Sequence, residues 1–287
     1  MRFVVTSAIA AGFMVAAHAP ALAQDSAMAR YEAAMVQAEE ELDRERERRA
    51  AGHLDTAEAA LSQAGGERAL ERGRIAVLRA GVERERRDWD DAFAHIDRAV
   101  GLLQAGGASA LEYGDAQYSR GFIAYQGEEF VAAEEAFREA VMAYRTSRDL
   151  TDTRRLRTNG WYLMAAHRNE AYRNNEERYV HGQGFVSSHV SAYPDPDLAR
   201  LYPLGEWREP MTLQLPFSAF VGRAHGFVIA QYDLSDSGQP RNVEILASYP
   251  GDLFDHSVEE SLRTGRRDAG DAGPNGYVTL FSFIVER

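Results

Sequence analysis

The sequence predicts an α+β protein: an N-terminal all-α array of helical hairpins, followed by a small β-β-α-β unit. Three observations predict it. From about Asp25 to Glu177, apolar residues recur at helical spacing between charged faces. Five of the nine prolines then fall between Tyr193 and Pro216. After them the pattern changes to alternation, with Val228, Ala230, Tyr232 and Leu234 on one strand face.

The first element is a leader. "MRFVVTSAIAAGFMVAAHAPALAQ" has a positive charge at Arg2, an apolar run from Phe3, and Ala21-Leu22-Ala23 before Gln24. That is the layout of a signal peptide over residues 1–23, cleaved after Ala23, which places the protein in the periplasm. The alternative is an uncleaved membrane anchor over residues 3–23. The run is Ala-rich and holds His18 and Pro20, which weakens it as a span.

Residues 24–177 form the helical region. A sub-pattern spaced +3, +7 and +10 occurs three times: Leu54, Ala57, Leu61, Ala64; Trp89, Ala92, Ile96, Ala99; and Phe130, Ala133, Phe137, Ala140. Small residues at Ala57, Ala92 and Ala133 let a preceding helix approach closely, and larger residues four later fill the groove beside them. Hairpins at this period bury their faces against one another. A further helix, roughly Asp152 to Glu177, carries Trp161, Leu163, Met164 and Tyr172 and is expected to cap the array. Residues 178–215 are a connector, because proline removes backbone donors and biases its predecessor away from helix.

The tail, residues 216–287, is built in order. Gly226 to Leu234 is a strand, Ser235-Asp236-Ser237-Gly238 a turn in which Gly238 takes positive φ, and Val243 to Leu246 lies in the second strand. Pro250-Gly251 stops it. Asp252 or Asp255 caps a helix that buries Phe254, Val258 and Leu262 and ends at Gly265. A last strand follows, with Tyr277, Thr279, Phe281, Phe283 and Val285 on one face and Val278, Leu280 and Ile284 on the other.

Two resemblances rest on these residues. The hairpins resemble tetratricopeptide repeats, the third best, through Gly121, Tyr125, Phe130, Ala133, Phe137 and Ala140; a generic bundle of amphipathic hairpins is the alternative. The tail resembles the TonB carboxy-terminal domain. It shares that family's Gly226, alternating strand, Gly238 turn, Ser248/Pro250 break, Phe254-Asp255 helix start and Phe281-x-Phe283 strand. Where the family's helix ends in an aromatic run, this chain has Gly265, Arg266 and Arg267. The resemblance implies capture of a cell-envelope protein or peptide, such as a segment of an outer-membrane transporter, by strand addition onto the last strand. Pairing with a second copy through the same edge strand is also expected, since an edge offers unpaired backbone groups. The candidate partner-binding residues are therefore Tyr277, Thr279, Phe281, Phe283 and Val285. In the array they are Tyr118, Phe122 and Tyr125, which share one helix face and serve either core packing or a peptide groove. If residues 3–23 stay uncleaved, the alternative is a membrane-anchored energy transducer.

Composition narrows the classes further. The net charge is −12, all 32 basic residues are arginine, and cysteine is absent. Phosphate neutralisation and a polybasic grip on anionic lipid are both disfavoured. Disulfides and thiolate chemistry are excluded. Asp255-His256-Ser257 supplies the residue types of a hydrolytic triad, but neighbours on a helix point in different directions. His53, His95, His167, His181, His189 and His225 have no metal-ligand spacing, and Gly182-x-Gly184 lacks the rest of a dinucleotide fingerprint. The Glu/Arg runs read as solvated helix faces. No cofactor, metal, nucleic acid or enzymatic activity is expected.

Overall fold

Alanine spacing sets the helical half. In the computed structural model, which describes residues 10–146, 152–173, 183–184, 213–214, 216, 218–219, 226–265 and 276–283, Ala57, Ala92 and Ala133 are fully buried. They lie on α2 (Glu47–Ala64), α4 (Trp89–Ala105) and α6 (Phe130–Arg145). The other helices before the sheet are α1 (Ala10–Asp43), α3 (Ala69–Glu85), α5 (Ala110–Gln126) and α7 (Asp152–Arg173). Residues 1–9, Pro194, Pro196, Pro203, Pro210, Ile284 and Val285 lie outside the described residues. So do His181, Gly182, His189, His225, Arg266 and Arg267. Helix α1 begins inside the segment read as a leader. No helix among the described residues is long and apolar enough to cross a membrane.

Three turns share one construction. Glu45, Arg87 and Glu128 each sit two residues past a helix with left-handed φ of 55°, 60° and 65°. The amide after each bonds back across the turn: Arg46 to the Glu41 carbonyl, Asp88 to Glu83, and Glu129 to Ala124, at 2.9, 3.0 and 2.8 Å. This is the six-to-one bond that closes a helix on a left-handed residue.

The chain forms two compact units, Met1–Ala116 and Gln117–Arg287. In the first, α1 packs along α2, and α3 along α4. Its core takes Tyr31, Ala34 and Ala38 from α1, Leu54 and Leu61 from α2, and Ile75 and Val82 from α3. Gly73 lies under Leu103, where a Cβ would come within 2.9 Å of that side chain.

The second unit carries an antiparallel three-stranded sheet in the order β4-β3-β5. A short ladder precedes it, β1 (Gln183–Gly184) with β2 (Leu213–Gln214). The sheet strands are β3 (Gly226–Leu234), β4 (Pro240–Tyr249) and β5 (Tyr277–Phe283), with α8 (Asp255–Thr264) before β5. Gly238 turns β3 into β4 at φ 77°, donating its amide to the Ser235 carbonyl at 2.8 Å. Phe254, rather than Asp252 or Asp255, occupies the cap position of α8, and no side chain caps it. The reason is a tight turn in which the Asp255 amide already bonds the Asp252 carbonyl at 3.1 Å.

Both faces of the sheet are covered. On one, Val228, Ala230, Tyr232, Phe281 and Phe283 close on Phe254, Val258 and Leu262 around α8. On the other, α7 packs on β3 and β4, and the Trp161 ring meets Phe227 edge-on at 5.7 Å. Gly160 permits this approach, because a Cβ there would overlap the Phe227 ring.

Candidate functional site

Strand β5 is fixed by its side chains and, among the described residues, is paired along one edge only. It pairs with β3 in a continuous register from Gly226 opposite Phe283 to Tyr232 opposite Tyr277. Phe283 stacks on Phe254 with centroids 4.2 Å apart. The Tyr232 and Thr279 hydroxyls bond at 2.7 Å inside the core. Tyr277 is half-buried and stacks on Tyr232 at 6.2 Å. Phe281 and Phe283 are wholly buried, and Thr279 nearly so. Thr279, Phe281 and Phe283 are therefore anchors that a partner cannot reach without opening the core, while Tyr277 keeps part of its ring accessible.

The opposite face of the strand is closed too. Val278 and Leu280 are buried, Leu280 opposite Ile229, on the side of the sheet that carries Phe227. Among the described residues, β5 pairs with β3 alone, and β1 lies near it without pairing. Its outer backbone groups are those of a sheet edge, able to bond an added strand without demanding particular side chains.

A stretch of 67 residues is 31% identical to Protein TonB of Salmonella typhimurium. The match covers 23% of this chain and 28% of that protein, so the chain spans well under a third of its relative's length. No protein-family model matches the chain.

Tyr118, Phe122 and Tyr125 converge on one ring. Phe122 and Tyr125 meet Trp161 edge-on at 5.4 and 5.2 Å, and Phe122 reaches Tyr249 at 6.0 Å. Tyr118 packs edge-on against Phe137 at 5.7 Å, and Phe137 stacks on Trp161 at 5.8 Å. Tyr125 is buried; Tyr118 and Phe122 are half-buried. Burial raises the Tyr118 phenol pKa, with the Arg157 guanidinium opposing. The set is an aromatic cluster about Trp161, on a helix whose periodicity alone left both roles open.

Asp255, His256 and Ser257 diverge: His256 is exposed and Ser257 is buried. Burial raises the Asp255 carboxyl above its ordinary value, opposed by the Ser248 hydroxyl donating at 3.4 Å. Among the described residues, no three His, Asp or Glu side chains gather as a metal site would require.

The first unit holds a groove of about 490 Å³ between α1, α3 and the start of α5. Met35, Val77, Leu78 and Leu103 give it an apolar lining, with Val36 54% exposed at its mouth. Glu32 and Glu39 flank Val36 on α1, and Glu112 and Asp115 face them from α5. Arg74 is the one cation of the lining, held by Glu112 through two bonds of 2.6 and 3.2 Å. In the sequence Glu32 and Glu39 stand seven residues apart with only uncharged residues between them, and nothing in that spacing marks a groove.

Proposed function

We propose that this chain is an exported, non-catalytic cell-envelope protein of the TonB family that takes an extended peptide onto β5 by strand addition. The observation that carries this is the edge strand itself: anchored by Phe281 and Phe283 on one face and buried on the other, it offers backbone rather than side chains. The partial likeness to Protein TonB supports it, since the matched length approaches that of the tail unit. The partner class is a segment of an outer-membrane transporter, and the helical array serves as the scaffold for a second partner. Cleavage after Ala23 releases the protein into the periplasm.

The test is a photo-crosslinking amino acid in place of Tyr277, which is half-buried at the start of β5 and tolerates an aromatic replacement. In cells, adducts with an envelope protein are expected at 277. Adducts absent from 277 but present at exposed Asp236, on the β3–β4 turn, would sink strand addition. N-terminal sequencing of the mature chain should begin at Gln24; a retained Arg2 would favour the anchored transducer instead.

A further inference from the structure

The groove between α1, α3 and the start of α5 is apolar at its centre and acidic at its rim. Glu32 and Glu39 are seven residues apart on α1, two helical turns, so their carboxylates sit about 10 Å apart along the axis. Met35 and Val36 lie between them, on the same helix. Across the groove, Glu112 is already engaged by Arg74. A ligand that covers Val36 must therefore bring apolar surface for the centre and positive charge for the α1 rim.

We propose that this groove docks an amphipathic helix from a partner protein, bearing Arg or Lys at positions i and i+7 and apolar side chains at i+3 and i+4. The spacing follows from the groove. Basic residues two turns apart on an incoming helix stand as far apart as Glu32 and Glu39 do, and the residues at i+3 and i+4 fall between them on the same face. A volume of about 490 Å³ accommodates a few side chains of one helix face, not a whole domain. Apolar burial supplies the affinity, and the paired charges set register and orientation. This names the second partner's chemistry within the reading of the array as a scaffold, and it is independent of strand addition at β5.

The experiment is fluorescence anisotropy on the full mature chain. The probe is a labelled alanine-based helical peptide with arginines seven apart and two leucines between them. Saturable binding is expected, weakened about three- to tenfold by Glu32→Gln/Glu39→Gln, and lost in Val36→Arg. The exposed positions of all three residues leave the fold intact, which circular dichroism checks. Equal binding of a peptide with glutamates for arginines would overturn the proposal. So would the absence of saturable binding, or sedimentation showing that a second copy of the chain covers Val36. Crosslinking at Tyr277 is untouched by these variants, so failure of either idea leaves the other standing.

Discussion

The Trp161 and Tyr249 rings lie with centroids 4.6 Å apart, tying α7 to the end of β4. Trp161 also touches Phe122, Tyr125, Phe137 and Phe227. One fully buried ring thus joins three helices to the sheet. Trp161→Ala should cost about 3–5 kcal/mol. Denaturant unfolding followed by circular dichroism checks the magnitude, and amide exchange checks the reach. Sheet amides that keep their full protection in the variant would show that α7 and the sheet unfold separately.

Gly160→Ala sets two effects against each other. Alanine raises helix propensity by about 1 kcal/mol. Its Cβ, however, would overlap the buried Phe227 ring. Overpacking of a closed core costs typically about 1–3 kcal/mol, so the net change should be destabilising. A thermal melt decides it; a rise in Tm would mean that the ring yields.

The β5 anchors should behave as core residues. Phe281→Ala leaves a cavity facing α8 and should destabilise by about 3–5 kcal/mol. Partner capture should then fall only as far as the folded fraction falls. A loss of binding in a sample that remains folded would make Phe281 a contact and not an anchor. Both quantities are measurable on one preparation, by circular dichroism and crosslinking at Tyr277.

Tyr31 gives a pH signature. Its pKa is pushed up from 10.0 to about 12, chiefly because burial disfavours the phenolate, with the Arg74 guanidinium opposing. The folded state therefore holds the phenolic proton more tightly than the unfolded chain does. The resulting stability is present in full below pH 10 and is lost as pH rises through about 12. Unfolding free energies of the native chain and Tyr31→Phe should run parallel below pH 10. Above it, the native chain should fall more steeply; parallel curves throughout would remove Tyr31 as the cause.

Much of this was legible in the sequence because it depends on local patterns. Helical spacing placed Ala57, Ala92 and Ala133 in the core, where they are. The strand alternation, the Gly238 turn and the helix carrying Phe254, Val258 and Leu262 also follow from neighbours along the chain. What was not legible depends on distant contacts. Alternation puts Val278 and Leu280 on the second face of β5, but no periodicity reports that helices pack on that side of the sheet. Trp161 looked like one apolar residue of a capping helix; its place at the centre of a ring cluster is a matter of tertiary packing. The groove beside Glu32 and Glu39 joins Val36, Val77 and Leu103 from three helices, residues far apart in the chain.

The three helix-closing turns have a practical consequence. Glu45, Arg87 and Glu128 carry side chains in a backbone region where only glycine sits without penalty, at about 1–2 kcal/mol each. Helix ends elsewhere in the chain use glycine, as at Gly65 and Gly107. Installing glycine at these three corners gains that relief against the looser unfolded chain that glycine brings. None of the three corners lines the acidic groove or belongs to β5, so a sturdier version of this protein could be engineered at them with both of those surfaces left as they are.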